Sequence, residues 1–153
     1  MAESDFVLAF DPGRDKSGFA FVDLDGGLIA SGIFPTSEFE RFLADLSPYV
    51  IEGVPPENAI QRAKLIIIGN GTHSREFSGR VESVMGREVM TVDERNTTLE
   101  ARGLYWRLHR PGIFTRILPE GMRVPGRVLD DLAAWAVALR GLKKYRDISG
   151  NKL

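Results

Sequence analysis

Carboxylate side chains stand at three separated places in this 153-residue chain, each beside a predicted strand end or helix start. They are Asp11, the pair Asp93-Glu94 and the pair Asp130-Asp131. Clustered carboxylates repel one another unless a cation lies between them, so convergence of these acids favours Mg²⁺ or Mn²⁺ held by oxygen ligands. Two such ions about 4 Å apart can activate water and stabilise the leaving oxygen in phosphodiester hydrolysis. The acids therefore indicate metal-dependent chemistry if the fold brings them together.

Each acid also has a structural interpretation. An aspartate before Pro-Gly commonly starts a turn, which suits Asp11. Asp130 and Asp131 precede a helical apolar pattern, where carboxylates suit the helix dipole. A helix turns about 100° per residue, so usually only one of two adjacent acids faces a given metal. The choice between Asp130 and Asp131, and that between Asp93 and Glu94, stay open at this point.

Composition excludes several other kinds of site. The chain has no cysteine and two histidines, so it offers no thiolate nucleophile and no disulfide, and any metal must rely on oxygen ligands. Hydrophobic residues make up 43% and charged residues 27%, typical of a soluble protein, and no apolar run is long enough to cross a bilayer. The acidic amino terminus lacks the features of a secretory signal, which predicts a cytoplasmic location.

The charge is unevenly distributed along the chain. Residues 1–100 contain nine basic and 17 acidic side chains, whereas residues 101–153 contain 11 basic and four acidic ones. A basic carboxy-terminal third suits phosphate binding through counterion release, and an acidic remainder suits metal cations. The alternative is a solvated basic helix face.

Hydrophobic patterns and turn signals predict the elements that must position the acids. The predicted strands are 6–10, 17–22, 28–34, 65–68 and 89–92. The predicted helices are 38–51 with a Ser37/Glu40 capping box, one that Gly86 ends, one from Thr97 to before Pro111, and 128–145. Residues 52–63 are predicted as a linker, residues 111–126 as a long loop and residues 147–153 as a frayed tail.

This order predicts one α/β domain over residues 1–153. Its sheet is mixed and five-stranded, with three antiparallel strands followed by two parallel ones and helices on both faces. The first strand is apolar at every position from 6 to 10, as expected of a strand covered on both faces. In such sheets function gathers at the carboxyl ends of strands, where Asp11 and the Asp93-Glu94 pair stand.

Three motifs carry a resemblance to a known family. They are Asp11, Gly13 and Gly18; Asp93-Glu94-Arg95-Asn96-Thr97-Thr98-Leu99-Glu100-Ala101; and Asp130, Ala133 and Ala134. With these motifs the chain resembles the YqgF (RuvX) family of the ribonuclease H-like superfamily over nearly the whole domain. The middle motif is the most specific of the three.

The resemblance implies a ribonuclease H-like fold and a magnesium- or manganese-dependent nuclease. Carried over by position, Asp11, Glu94 and Asp130 are the catalytic, metal-binding carboxylates, and Asp93 and Asp131 are secondary acids. The family is associated with processing the precursor of small-subunit ribosomal RNA and with Holliday junction resolution. The implied partner is thus structured RNA or branched DNA, bound by a monomer or homodimer. The candidate phosphate contacts are Arg75, Arg95, Arg116, Arg123 and Arg127, with surface solvation as their alternative.

One stretch departs from the family pattern. Typical members have Gly-Leu-Pro before a glycine-containing loop, whereas this chain has Gly69-Asn70-Gly71-Thr72 followed by His73-Ser74-Arg75-Glu76. This run is more similar to the YqgF-like domain of the transcription-associated protein Tex. The alternative function is therefore a non-catalytic nucleic-acid-binding module. A third interpretation, the phosphate loop of an actin-like kinase, requires a second domain for which 153 residues leave no room.

Overall fold

The computed structural model describes residues 6–93 and 130–149 of the chain. Within these ranges a mixed sheet of six strands has the order β4-β3-β2-β1-β5-β6. The strands are β1 (Phe6–Asp11), β2 (Lys16–Asp23), β3 (Leu28–Pro35), β4 (Val50–Gly53), β5 (Ile66–Gly69) and β6 (Met90–Val92). The α-helices are α1 (Phe39–Ala44), α2 (Ala59–Arg62), α3 (Ser74–Met85) and α4 (Asp130–Ser149), and short 3₁₀ turns cover Thr36–Glu38 and Ser47–Tyr49.

The strand directions follow the predicted α/β arrangement. Strands β1, β2 and β3 form an antiparallel meander, β5 runs parallel to β1, and β6 runs parallel to β5. The predicted five-strand count is wrong, because β4 adds an antiparallel strand beside β3. The predicted third helix, the 111–126 loop and the end of the tail at 150–153 lie outside the described residues, and α4 continues four residues past its predicted end at Tyr145.

The missed strand comes from a predicted helix that was too long. In the interval predicted as helix 38–51, the only α-helix is α1, which ends at Ala44; a 3₁₀ turn follows at Ser47–Tyr49, and β4 begins at Val50. Pro48 cannot donate a helical hydrogen bond and disfavours helical backbone at the residue before it. The Asp45 carboxylate accepts a hydrogen bond from the Ser47 backbone N–H at 3.1 Å, which stabilises the turn. The chain is then free to pair residues 50–53 with β3.

The predicted Ser37/Glu40 capping box does not form. Ser37 lies inside the first 3₁₀ turn, and neither that turn nor α1 has a side-chain cap. Glu40 is instead bound by Arg80 of α3, at 3.2 Å from each carboxylate oxygen. The carboxylate of Glu40 therefore joins two helices rather than capping one.

Each face of the sheet carries its own apolar core. On one face, phenylalanine rings from three strands pack with rings from α1 and α3, including Phe34 and Phe42, which are stacked at 4.4 Å between centroids. Such pairs add about 0.5–1.5 kcal/mol beyond simple burial. On the other face, α4 covers alternate residues of β1 and β2. Residues 6–10 of β1 are all buried, which confirms the prediction of a strand covered on both sides.

None of the helices within residues 6–93 and 130–149 combines the length and the apolar character needed to span a membrane.

Two glycines of the α3 region should respond to alanine in opposite directions. Gly86 follows the helix with φ of +65°, whereas Gly79 lies inside it, and an added Cβ would meet no atom within 4 Å at either position. Gly86→Ala should cost about 1 kcal/mol because of its left-handed backbone, and Gly79→Ala should stabilise by roughly 0.5–1 kcal/mol. Urea unfolding of both variants measures the difference, and shifts of the same sign would contradict this assignment.

Candidate functional site

Parallel strands bring the first two acidic positions to one edge of the sheet. The register pairs Phe10 of β1 with Ile68 of β5, and Ile68 with Thr91 of β6. One residue further on, Asp11 ends β1 and Val92 ends β6, so the chain leaves β6 into Asp93 at the same edge. The prediction that Asp11 and Asp93 lie at a shared carboxyl edge is confirmed by the strand pairing. Strands β1 and β6 are two strand spacings apart, or roughly 10 Å.

Asp11 is half-buried and lies between two glycines. It pairs directly with Gly18 of β2, and one register step past the Phe10–Ile68 pair places Gly69 of β5 on its other side. Alternation along β1 puts Asp11 on the same face of the sheet as Ala9, which is the face that α4 covers. Neither lateral neighbour has a side chain, so the two flanking strands place only backbone directly beside Asp11.

The turn after Asp11 is closed by a ring of hydrogen bonds. The Thr36 hydroxyl donates to the Gly13 carbonyl at 2.8 Å, and the Ser17 and Thr36 hydroxyl oxygens are 2.8 Å apart. A hydroxyl has one proton to donate, so the Ser17 hydroxyl must donate to Thr36. The Gly13 backbone N–H donates back to the Ser17 hydroxyl oxygen at 3.4 Å. The ring therefore begins and ends on the backbone of Gly13.

Arg80 of α3 connects this turn to the helices. Its guanidinium donates to the Thr36 carbonyl at 3.0 Å and to the Glu40 carboxylate, and it lies 5.2 Å from the centre of the Phe39 ring. A hydrogen bond from the backbone of Glu40 itself, followed by the one from Arg80, lowers the pKa of the Glu40 carboxyl below its ordinary value. The turn after Asp11 is thereby fixed to both α1 and α3.

A small cleft of about 150 Å³ opens between this turn and α3. The residues that line it are Gly13, Arg14, Thr36, His73, Glu76, Phe77 and Arg80. Basic and acidic side chains both face the cleft, so it has no single sign of charge.

Several polar groups of the turn formed by Gly69-Asn70-Gly71-Thr72 are hydrogen-bonded within the protein. The Asn70 backbone N–H donates to the Val92 carbonyl at 2.6 Å, and the Ser74 hydroxyl donates to the Gly71 carbonyl at 2.8 Å. The first contact ties the turn to the residue before Asp93. The run therefore holds the ends of β5 and β6 together.

Two basic side chains of α4 donate hydrogen bonds to backbone carbonyls of β6 and of the residue that follows it. Arg140 donates to the Asp93 carbonyl, and Lys144 donates to the Thr91 carbonyl at 2.9 Å. Both residues belong to the basic carboxy-terminal third, and their contacts place positive charge beside Asp93. Part of that basic third is therefore used to fix β6.

Asp131 lies in the core and not at the exposed edge. Its side chain is 0% exposed, and its carboxylate accepts a hydrogen bond from the Ser31 hydroxyl at 2.7 Å. Ser31 of β3 pairs with Ala20 of β2, two strands from β1, so it lies roughly 10 Å from β1. Of the two adjacent acids, Asp131 therefore faces the sheet at β3. The side chain of Asp130 lies outside the described residues.

The structure describes Arg75 but not the other remaining predicted site residues. Arg75 is exposed in the first turn of α3, directly after the turn at the carboxyl edge. Glu94, Arg95, Arg116, Arg123 and Arg127 lie outside the described residues. Among the side chains that are described, no three His, Cys, Asp or Glu residues cluster closely enough to hold an ion. The carboxylate set predicted for the metal, Asp11 with Glu94 and Asp130, has the hard oxygen donors that Mg²⁺ and Mn²⁺ prefer.

Sequence reasoning missed the polar residues that support the acids. Ser17 in β2 and Ser31 in β3 are 0% exposed, and Thr36 directly follows β3. A serine at an inward strand position is a usable signal, because a buried hydroxyl needs a hydrogen-bond partner. The identity of that partner could not be found from local sequence.

The protein has an α/β fold with a mixed sheet, and the half-buried Asp11 lies at the carboxyl ends of the parallel strands. No protein-family model matches the chain, and the search of the curated proteins finds no match. The geometry of this edge and the motifs of the sequence are therefore the guides to function.

Proposed function

We propose that this chain is a metal-dependent nuclease with a ribonuclease H-like fold that hydrolyses phosphodiester bonds in structured nucleic acid. One observation carries the proposal. Asp11 ends the central strand between Gly18 and Gly69, at the edge where β6 leads into Asp93 and Glu94. A carboxylate at the end of a central strand, flanked by two glycines and near a second acidic segment, suits the binding of a cation.

The strand order supports the ribonuclease H-like part of the proposal. With the edge strand β4 set aside, the order is β3-β2-β1-β5-β6, and the first three strands are antiparallel whereas β5 and β6 run parallel to β1. This is the arrangement that the resemblance to the YqgF family implies. The start of α4 lies over β3, because the Asp131 carboxylate accepts a hydrogen bond from the Ser31 hydroxyl.

In the proposed mechanism, some residues of the edge bind the metal and others bind phosphate groups. Asp11, Glu94 and Asp130 would hold Mg²⁺ or Mn²⁺, which supplies activation of water and stabilisation of the leaving oxygen. Gly18 and Gly69, which flank Asp11 in the sheet, carry no side chain that would compete with the phosphate group. Arg75, exposed at the start of α3, would bind a neighbouring phosphate of the same strand.

The proposed substrates are those associated with the family that the motifs resemble. They are precursor ribosomal RNA and Holliday junctions, that is, structured RNA or branched DNA. The proposed setting is the cytoplasm, with the protein acting as a monomer or homodimer.

Removal of the metal tests the proposal directly. Purified protein should cleave a folded RNA or a four-way DNA junction in Mg²⁺ or Mn²⁺, lose cleavage in EDTA, and regain it when Mg²⁺ is restored. Labelled substrates separated on denaturing gels measure cleavage. Cleavage that persists in EDTA would exclude the metal-dependent mechanism. Salt-sensitive binding without cleavage in any metal would favour the nucleic-acid-binding module that residues 69–76 resemble.

A further inference from the structure

We propose that Thr36 is a positioning residue for the site at Asp11. This inference rests on the proposed function, because it assigns Thr36 a role at the metal-binding carboxylate. Thr36 acts through the turn that follows Asp11, by fixing the backbone at Gly13 and Asp15.

Thr36 contacts the turn at three points. Its hydroxyl donates to the Gly13 carbonyl and accepts from the Ser17 hydroxyl, both at 2.8 Å. Its backbone N–H donates to the Asp15 carbonyl at 2.9 Å. The hydroxyl is therefore the central member of the ring that starts and ends on Gly13. Loss of this hydroxyl would leave the Gly13 carbonyl without this donor and the Ser17 hydroxyl without this acceptor.

The turn has little freedom to adjust by itself. A Cβ at Gly13 would lie 2.3 Å from the Lys16 carbonyl oxygen, so the backbone is tightly folded there. Asp11 is the last residue of β1, and only Pro12 separates it from Gly13. Two features therefore set the direction of the Asp11 carboxylate. They are the backbone pairing of β1 before it and the Gly13 turn after it.

Thr36 is itself held by the helices on the far face of the sheet. Arg80 donates to the Thr36 carbonyl at 3.0 Å while it also binds the Glu40 carboxylate. Thr36 therefore transmits the position of α3 to the Asp11 turn. The strands do not need the hydroxyl for their pairing, because Lys16 and Ser17 are already paired with Pro35 and Phe34 in the ladder.

Different measurements distinguish a positioning role from a purely structural one. The hydroxyl makes two neutral hydrogen bonds, and its loss leaves the buried Ser17 hydroxyl without this acceptor, so Thr36→Val should lower the unfolding midpoint. A carboxylate that must bind a cation is more sensitive to position, and loss of groups that orient metal ligands typically weakens metal binding by tenfold or more. Mn²⁺ affinity is therefore compared under conditions where Thr36→Val is fully folded, so that a loss of affinity reports the position of Asp11 and not global stability.

The test compares Thr36→Val with Thr36→Ser. Valine keeps the branched shape and removes the hydroxyl, whereas serine keeps the hydroxyl. Thr36→Val should weaken Mn²⁺ binding about tenfold, measured by electron paramagnetic resonance, and should speed amide hydrogen exchange at residues 13–16. Thr36→Ser should remain within about twofold of wild type in both measurements. Thr91→Val, at an exposed threonine of β6, serves as the matched control for the substitution itself.

The two readouts separate this inference from the proposed function. Unchanged exchange at residues 13–16 in Thr36→Val would overturn the inference, whatever the metal result. Faster exchange with unchanged Mn²⁺ affinity would also overturn it, since Thr36 would then hold the turn without positioning Asp11. If the wild type binds no Mn²⁺, the proposed metal site fails and the positioning role fails with it. Faster exchange in Thr36→Val would then show a turn-holding role alone.

Discussion

Asp11→Asn should lower the rate of nucleic-acid cleavage about a thousandfold. The change replaces a charged oxygen ligand by a neutral amide of nearly the same shape at the end of β1. Metal ions contribute several kcal/mol of transition-state stabilisation, and about 4 kcal/mol corresponds to roughly a thousandfold in rate. Single-turnover cleavage of a labelled junction or folded RNA in Mg²⁺, with enzyme in excess, measures this loss without interference from product release.

The fold should survive this substitution. Asp11 is half-buried, and its position in the sheet is set by backbone pairing with Gly18. Asparagine retains hydrogen-bonding capacity, so unfolding should change by no more than about 1 kcal/mol. Asp15→Asn is the matched control, because Asp15 lies in the same turn with 80% of its side chain exposed and its carboxylate 3.6 Å from the Arg14 guanidinium. This control should cleave at close to the wild-type rate.

Binding should respond differently from cleavage. Asp11→Asn removes a negative charge from the path proposed for the phosphate, so affinity measured in EDTA should equal or exceed that of the wild type. Equal cleavage by Asp11→Asn and wild type would remove Asp11 from the mechanism. A loss of cleavage in Asp15→Asn as large as that in Asp11→Asn would point to disruption of the turn instead.

Strongly patterned segments made much of the fold predictable. Residues 6–10 are apolar at every position, which identified a strand buried on both faces, and the Asp25-Gly26-Gly27 turn identified the β2–β3 hairpin. The helical crossovers then required β5 and β6 to be parallel to β1. Parallel strands end at a common edge, so the placement of Asp11 and Asp93 followed from topology alone.

The segment 38–53 was not predictable from its apolar period. The spacing of Phe39, Phe42 and Leu46 suits a helix, yet α1 ends at Ala44 and residues 50–53 pair with β3. Pro48 was the local signal against a continuous helix. The outer edge of β3 supplied the competing partner, and a local pattern contains no information about an unpaired strand edge elsewhere in the chain.

The support of the site depends on contacts that are distant in sequence. Thr36 reaches Gly13 across 23 residues, and Ser31 reaches Asp131 across 100 residues. A serine in a strand indicates that a partner exists if the position is buried, but any of many polar groups can be that partner. The shared edge of Asp11 and Asp93 was therefore predictable, whereas the burial of Asp131 required the structure, and the roles of Glu94 and Asp130 stay predictions.

Asp131→Ala should destabilise the protein by about 2–3 kcal/mol. The substitution removes a fully buried carboxylate and leaves the buried Ser31 hydroxyl without this acceptor, and an unsatisfied buried polar group costs about 1–3 kcal/mol. Ser31→Ala should also destabilise, and the double variant should lose at least about 1 kcal/mol less than the sum of the single losses, because both variants break the same contact. Urea unfolding of the four proteins measures the coupling; additive losses would show that the contact contributes little.

The same variant also decides which of the two adjacent acids belongs to the metal site. Since Asp131 is held at β3, roughly 10 Å from β1, its loss should reduce stability while Mn²⁺ affinity stays within about twofold of wild type at a temperature where the variant is folded. Asp130→Asn should do the opposite, with near-normal stability and at least about tenfold weaker Mn²⁺ binding, because it removes a proposed ligand. Mn²⁺ titration of both variants beside their unfolding curves separates the two roles. Weak Mn²⁺ binding in folded Asp131→Ala, with normal binding in Asp130→Asn, would reverse the assignment and place the buried acid in the site.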